Sequence, residues 1–223
     1  MKNLLSTALA VGGIFFNMLC SAQSVDGKIG DHDYVDLGLP SGAKWATCNV
    51  GATKPTEPGH YIAWGEKKPR KVYDIDNHKW AIYDFEKQVD KYVKYIPKDG
   101  LTDLEAKDDA VRAQWGKLWH LPNNDEYAEL AKGCTWEYVE NYNNSGVAGV
   151  LGTSKENGHT IFLPSGWAKG NYPFTNPIYY WTASVCNECR DYIDAWAVNF
   201  EGGKLKGEHW DRFYGFNCRG VAK

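Results

Sequence analysis

The sequence lacks a strong charge of either sign. Its 223 residues carry a formal net charge of -3 at pH 7, and the pI is near 6.1. A domain that binds nucleic acid or an anionic membrane normally presents a concentrated basic surface. The composition therefore gives no electrostatic reason to expect either partner. The length fits one domain of ordinary size preceded by a leader.

The motifs of the common catalytic sites are also missing from the sequence. Ser165 lies between Pro164 and Gly166, and the Gly-x-Ser-x-Gly elbow of hydrolases is absent. The histidines are scattered, and none has a second histidine at the helical spacing of a zinc protease. The glycine-rich stretches show no phosphate-binding pattern. These absences argue against an enzyme and give no reason to expect a metal or a cofactor.

Long hydrophobic runs are restricted to the N-terminus. Lys2 precedes an apolar run over residues 4–19, which predicts a secretory signal too short to span a membrane in the mature protein. Small residues at 20–22 favour cleavage after this triplet, so residues 1–22 are predicted to be the signal peptide. We therefore expect a secreted, periplasmic or cell-surface protein. A lipoprotein anchored at Cys20 is the alternative, and the large residue just before this cysteine disfavours it.

Aromatic residues are abundant, with 10 Trp and 14 Tyr. Residues 108–130 contain two short predicted helices on either side of a Trp-Gly-x-x-Trp corner. Asn123 and Glu126 have the spacing of a capping box at the start of the second helix. Trp115 and Trp119 are predicted to be buried at this corner, because aromatics at helical spacing usually form core.

The rest of the chain predicts short strands and long loops. Residues 23–33 are rich in Gly, Asp and Ser and predict a flexible lead before a domain at 34–223. Glu-Asn-Gly at 156–158 predicts a hairpin, because Asn-Gly tolerates positive φ, and residues 201–203 predict another turn. Residues 66–100 predict a long surface excursion, and three aromatic residues are expected to anchor it: Trp80, Tyr83 and Phe85. Short, mainly antiparallel strands with two helices predict an α+β domain.

Seven ordered blocks of the sequence carry a family resemblance. Besides residues 108–130, they are Tyr-Val-Asp-Leu-Gly-Leu-Pro-Ser-Gly at 34–42, Trp-Ala-Thr-Cys-Asn-Val-Gly-Ala at 45–52, Tyr-Ile-Ala-Trp-Gly-Glu at 61–66, Ile-Phe-Leu-Pro at 161–164, Tyr-Trp-Thr-Ala-Ser at 180–184 and Tyr-Gly-Phe at 214–216. Together they resemble the Fibrobacter succinogenes major paralogous domain (FISUMP) family, common in secreted Bacteroidetes proteins. The resemblance implies a C-type lectin-like fold and little assigned chemistry.

Five cysteines remain after cleavage of the predicted signal: Cys48, Cys134, Cys186, Cys189 and Cys218. Cysteines of exported proteins usually form disulfides. Because Cys48 and Cys134 lie in or beside the family-like blocks, the resemblance implies a disulfide between them. Cys186 and Cys189 have redox or zinc spacing, but the sequence has no second Cys-x-x-Cys to complete a zinc site. A structural bridge from one of this pair to Cys218 is the preferred interpretation.

The resemblance also raises two activities. Formylglycine-generating enzymes have a related lectin-like fold and a reactive cysteine pair near the C-terminus. An oxidase that uses Cys186 and Cys189 is therefore the enzymatic alternative, and a structural component of a surface assembly is another. Calcium-dependent sugar binding needs several hard oxygen ligands in one loop. The Glu-Pro-Asn, Gln-Pro-Asp and Trp-Asn-Asp motifs of calcium lectins are absent from the sequence.

The function we expect is noncatalytic binding of a glycan or protein ligand outside the cell. Lectin-like folds place recognition on long loops late in the chain, so the resemblance implies the loop at 166–177 and the segment around Trp210. Aromatic residues in both stretches lie among Gly, Asn, Pro or charged residues, where no helix or strand period requires burial. The alternative is that these aromatics cover the core. The predicted ligand-binding residues are Trp167, Tyr172, Trp210, Asp211, Arg212 and Tyr214.

Overall fold

β-Strands dominate the fold. The computed structural model describes residues 22–86, 89–189 and 193–223, and 37% of these residues are in strands against 13% in helices. The predicted α+β, C-type lectin-like class is therefore wrong: the chain forms several small antiparallel sheets, and its α-helices have only 6 and 10 residues. One physical reason is that stretches assigned to loops, such as residues 81–92, pair as strands.

The described residues contain the following elements in chain order. The strands are β1 (Gly27–Ile29), β2 (His32–Asp36), β3 (Lys44–Asn49), β4 (Ile62–Ala63), β5 (Ala81–Asp84), β6 (Val89–Tyr92), β7 (Cys134–Val139), β8 (Gly149–Ser154), β9 (Thr160–Pro164), β10 (Tyr179–Val185), β11 (Asp194–Glu201), β12 (Lys204–Asp211), β13 (Gly215–Phe216) and β14 (Arg219–Ala222). The α-helices are α1 (Ala110–Trp115) and α2 (Asn124–Gly133). Short 3-10 helices cover Ile75–Asn77, Pro97–Asp99 and Tyr142–Asn144.

Both ends of the described chain join one four-stranded sheet. Its strand order is β1-β2-β3-β14, and Val221 of β14 lies opposite Trp45 of β3. Residues 23–33, predicted as a flexible lead, contribute β1 and the start of β2 instead. Gln23 adds a further link, because the amide of Phe162 on β9 donates to its side-chain oxygen at 2.6 Å. The Gly and Asp residues of this segment thus mark a tight turn rather than a flexible chain.

Two three-stranded antiparallel sheets follow in the second half of the chain. Their strand orders are β7-β8-β9 and β10-β11-β12, so β12 is an edge strand. The hairpin predicted at residues 156–158 is confirmed, and Gly158 takes the positive φ of 75°. The turn predicted at residues 201–203 is also confirmed, with φ of 58° at Gly202 and 77° at Gly203. Glycine reaches these angles without the steric cost that a Cβ would add.

The helical corner is capped as its sequence predicts. Asn123 accepts a hydrogen bond from the amide of Glu126, whose carboxylate accepts in return from the amide of Asn123. Trp119 is fully buried, whereas Trp115 is only half-buried and stacks on His32 with 4.0 Å between ring centroids. The prediction that both tryptophans are largely buried therefore holds fully for Trp119 and in part for Trp115, which is partly buried against the same core.

Large aromatic side chains fill the core. Four tryptophans are almost completely buried: Trp45, Trp64, Trp119 and Trp181. The surface excursion at residues 66–100 is anchored by Trp80, which packs on Trp64 at 6.3 Å between ring centroids. Tyr83 and Phe85, the other predicted anchors, are exposed on or just after β5. These two predictions are wrong, because both side chains are exposed to solvent instead of packing on the core.

The predicted signal peptide falls almost wholly outside the described residues. Residues 1–21, including Cys20, belong to that part, so cleavage and lipidation stay predictions. Among the residues that the structure describes, no helix is both long enough and apolar enough to cross a membrane.

Candidate functional site

A cleft lies at the edge of the β10-β11-β12 sheet, where β12 ends. Its volume is about 530 Å3. We call it the aromatic cleft, and its lining residues are Tyr172, Asp194, His209, Trp210, Asp211 and Tyr214. Because β12 is an edge strand, side chains from both of its faces can reach the space beside it.

The β11–β12 hairpin places the polar side of the cleft. The turn at Gly202 and Gly203 sets a register in which Asp194 lies opposite Asp211. Side chains alternate between the faces of a strand, so His209, two residues before Asp211, shares a face with Asp194. Its Nδ1 lies 2.7 Å from Asp194 Oδ2. This hydrogen bond fixes the orientation of the half-exposed imidazole beside a buried carboxylate.

A cluster of rings forms the apolar side of the cleft. Trp210 contacts both Tyr172 and Phe174 at 5.1 Å between ring centroids, and Tyr179 at 5.6 Å. Perpendicular ring contacts of this kind add to the stabilisation that burial provides. Tyr172 is the outermost of these rings, with 49% of its surface exposed. The cleft therefore has a rigid aromatic base and one aromatic ring open to solvent.

The loop that carries Tyr172 is fixed to the sheet region rather than free. Lys169 and Gly215 exchange two backbone hydrogen bonds, of 2.9 and 2.8 Å. Gly170 follows, and a Cβ at this position would lie 2.3 Å from Cδ1 of Tyr214. Glycine is thus needed for the loop to pass this close to the ring. These contacts hold Tyr172 near β12 before any ligand is bound.

The polar groups of the rings are suited to donating hydrogen bonds. Burial raises the pKa of the Tyr214 hydroxyl to about 12, and the charge of Asp211 adds to this effect. Tyr214 is therefore a neutral phenol at physiological pH and can donate. The indole Nε1 of Trp210 is buried, and within the described parts of the chain it has no hydrogen-bond partner.

The structure brings together four of the six predicted ligand-binding residues. Tyr172, Trp210, Asp211 and Tyr214 all line the aromatic cleft. Trp167 is 57% exposed but is not part of this lining. The structure thus separates Trp167 from the cleft, although it lies in the same loop as Tyr172.

Arg212 is the clearest correction among the predicted site residues. Its side chain is completely buried and is not part of the cleft lining. Its guanidinium donates to three backbone carbonyls: Lys94 at 2.9 Å, Tyr95 at 2.6 Å and Asp194 at 3.2 Å. The same group lies over the rings of Trp64 and Tyr92, at 5.1 and 4.6 Å from their centroids. Burial lowers the pKa of Arg212 to about 10, so the guanidinium stays charged at physiological pH. It acts as a hydrogen-bond donor inside the core.

Two cleft residues were missed at the level of sequence. Asp194 and His209 have no motif around them, and only the register of the β11–β12 hairpin makes them neighbours. The turn at Gly202 and Gly203 was the sequence signal from which both residues could have been found. Counting back from that turn in both directions pairs Asp194 with Asp211 and puts His209 on the same face.

The cysteines pair differently from the prediction. Cys186 and Cys189 form a disulfide with their Cα atoms 5.4 Å apart. Cys48 and Cys134 are free thiols on different sheets, so the pairing predicted for them is absent. Cys218 is a free thiol as well, and the predicted bridge to it is also absent. Burial raises the pKa of Cys134 to about 12 and raises that of Cys218, which makes both thiols unreactive.

A second cleft adjoins the same loop from its other side. Its volume is about 520 Å3, and its lining includes Lys71, Lys169 and Asn171. Nζ of Lys169 lies 4.8 Å from the ring centroid of Tyr61. This cleft is basic where the aromatic cleft is acidic. The loop at 166–177 therefore contributes residues to two clefts that differ in the charged side chains of their linings.

Comparison with known proteins identifies no relative of this chain. No protein family, no curated protein and no solved structure matches it. The lectin-like expectation thus has no structural neighbour to support it.

Proposed function

We propose that this chain is an exported, noncatalytic binding domain that holds a glycan in the aromatic cleft. The observation that carries the proposal is the half-exposed ring of Tyr172 beside two carboxylates and an imidazole. An aromatic ring next to hydrogen-bonding groups suits a sugar, which has an apolar C–H face and a rim of hydroxyls. The FISUMP resemblance of the seven sequence blocks supports export.

The polar groups of the cleft match the rim of a sugar ring. Carboxylates of Asp194 and Asp211 accept hydrogen bonds from hydroxyls, and charge-assisted bonds of this type are about twice as strong as neutral ones. The neutral phenol of Tyr214 donates to hydroxyl or ring oxygens. The cleft therefore offers both donors and acceptors around one stacking surface.

The rigidity of the aromatic base favours binding. Trp210 is held by ring contacts to Phe174 and Tyr179, and the loop of Tyr172 is held by the Lys169–Gly215 pair. A site that is ordered before binding loses little conformational entropy when the ligand arrives.

The test compares two tyrosines of matched exposure. The mature protein is screened on glycan and peptide arrays, and the affinity for each glycan found is measured by calorimetry. Tyr172→Ala should weaken glycan binding at least about tenfold, which corresponds to about 1.4 kcal/mol. Tyr138, on β7 and outside the cleft, is 48% exposed against 49% for Tyr172, so Tyr138→Ala is the control and should leave affinity unchanged.

The melting temperature of both variants separates binding from folding. Because Tyr172 and Tyr138 are about half-exposed, neither substitution should lower it by more than a few degrees. Equal affinity of Tyr172→Ala and the unmodified protein for every glycan found would remove the cleft from the binding site. Binding of peptides alone would overturn the glycan as the ligand class.

A further inference from the structure

We propose that reduction of the Cys186–Cys189 disulfide creates a zinc site from these two cysteines, Asp194 and His209. The site goes beyond glycan binding, since zinc alone is its ligand. Cys189 Sγ, a carboxylate oxygen of Asp194 and a ring nitrogen of His209 lie within 4.8 Å of one another. Cys186 adds a second sulfur, because it is bonded to Cys189. Two sulfurs, one oxygen and one nitrogen form a four-ligand set.

The distances in this group are close to those of a zinc centre. Tetrahedral zinc holds sulfur at roughly 2.3 Å and nitrogen or oxygen at roughly 2.0–2.2 Å, which places its donor atoms roughly 3.3–3.8 Å apart. The observed limit of 4.8 Å for Cys189, Asp194 and His209 therefore requires these three donors to close by about 1 Å, whereas the two sulfurs move apart once their bond is broken. Rotation of the half-exposed His209 ring and of the Cys189 side chain can supply this movement.

Paired strands hold the ligands in place. Val185 at the end of β10 pairs with Ala195 on β11, and the amide of Cys186 donates to the carbonyl of Asp194 at 3.2 Å. His209 is held on β12 by its register with β11. The Cys-x-x-Cys segment thus starts directly beside the strand that carries the carboxylate. A site built on strands is more rigid than one built on loops alone.

The positions of Asp194 and His209, the two ligands other than the cysteines, explain why the sequence contains no zinc motif. The cysteine spacing is typical of zinc, but Asp194 and His209 are separated from each other by a whole hairpin. Sulfur and imidazole ligands favour zinc over magnesium or calcium, which prefer oxygen alone. The buried guanidinium of Arg212, whose Nε donates to the Asp194 carbonyl at 3.2 Å, offsets part of the ligands' negative charge.

Formation of the zinc site takes two steps, reduction of the disulfide and then replacement of the thiol protons by zinc. A low-molecular-weight thiol supplies the electrons: the S–S bond of the protein breaks, two protein thiols form, and two molecules of reductant join in their own disulfide. Zinc then replaces the thiol protons, so two protons are released as two thiolates bind. Cys189 is partly exposed, which gives the reductant access to one sulfur.

The test measures zinc binding of the full chain in both redox states. A chromophoric chelator competes for Zn2+ with oxidised protein and with protein reduced and then freed of reductant. The reduced protein should bind one zinc per chain, and the oxidised protein should bind none with comparable affinity. Co2+ in place of zinc should show a thiolate-to-metal charge-transfer band in the reduced protein only.

Single substitutions identify the ligands. His209→Gln and Cys189→Ser should each weaken zinc binding at least about tenfold, because loss of a group that merely orients a metal ligand already costs about 10–100-fold. Cys48→Ser is the control, because Cys48 is a free and partly buried thiol outside the cluster. Its affinity for zinc should equal that of the unmodified reduced protein.

Two results would overturn the site. The first is a reduced protein that binds no stoichiometric zinc. The second is undiminished affinity in His209→Gln, a variant expected to fold because the ring is half-exposed. The zinc assay contains no glycan, so its failure is distinct from a failure of the proposed glycan binding.

Discussion

At the scale of single residues, Arg212 shows how a charged side chain in a turn-like segment can belong to the core. The sequence places it between Asp211 and Phe213, and an exposed hydrogen-bond donor is the natural expectation there. In the structure its guanidinium donates to three carbonyl groups from two separate segments, Lys94 and Tyr95 in one and Asp194 in the other. No local pattern in the sequence reveals these distant carbonyls, so the prediction failed for a physical reason.

Replacement of Arg212 should therefore destabilise the fold. Arg212→Ala removes the guanidinium donor from the carbonyl oxygens of Lys94 and Tyr95, and each loss costs about 1–3 kcal/mol. We expect the free energy of unfolding to fall by about 3–5 kcal/mol, as measured by chemical denaturation. Arg112→Ala is the control, because its side chain is about one-third exposed and donates to a single carbonyl, that of Lys117. Similar losses in the two variants would contradict the structural role.

His78 makes stability depend on pH in a defined window. Burial lowers its pKa from 6.5 to about 3 in the folded protein, where one ring nitrogen lies 3.0 Å from the carbonyl oxygen of Trp64. The unfolded chain thus binds a proton at higher pH than the folded chain does. The stabilisation from neutral His78 is complete above pH 6.5 and is lost as pH falls toward 3.

His78→Gln should flatten this dependence. Between pH 6 and 4.5 the unmodified protein should lose up to about 1.4 kcal/mol of unfolding free energy per pH unit through this residue. Denaturation midpoints of both proteins across that range provide the measurement. Parallel pH profiles would show that His78 does not titrate differently on unfolding.

At the scale of elements, local signals predicted caps and turns well. Asn123 and Glu126 form the capping box that their spacing indicates, and Gly158 lies in the predicted hairpin. These features depend on a few adjacent residues. The cleft was predicted only in part, because its lining combines a loop near Tyr172 with strands that meet it through distant pairing. The register from Gly202 and Gly203 would have added Asp194 and His209.

The two tryptophans of the helical corner should differ in their contribution to stability. Trp119 is fully buried and donates from Nε1 to the carbonyl of Ile29 at 3.0 Å, so Trp119→Ala should cost about 3–5 kcal/mol. Trp115 is half-buried on His32, and Trp115→Ala should cost clearly less. Urea denaturation of both variants gives the comparison. A larger loss for Trp115→Ala would contradict the observed burial.

At the scale of the whole molecule, the fold class could not be read from local patterns. Small sheets form between segments far apart in sequence, such as β4 with β13 and β3 with β14. Strands of two to six residues give weak periodicity, and their pairing is set by tertiary packing. The Cys48–Cys134 pairing was mispredicted for the same reason. A position in or beside the family-like blocks does not decide which cysteines lie close together in the folded chain, and both of these thiols are free.

The measurement that tests the central proposal most directly is a ligand titration observed through tryptophan indole N–H signals. The chain has 10 tryptophans, and Trp210→Phe assigns the signal of the cleft residue. If a glycan binds in the aromatic cleft, the Trp210 signal should shift strongly, because Trp210 lines the cleft and contacts the stacking ring of Tyr172. The exposed Trp167, outside the cleft, should shift little. A bound glycan that shifts Trp167 and leaves Trp210 unmoved would contradict the account.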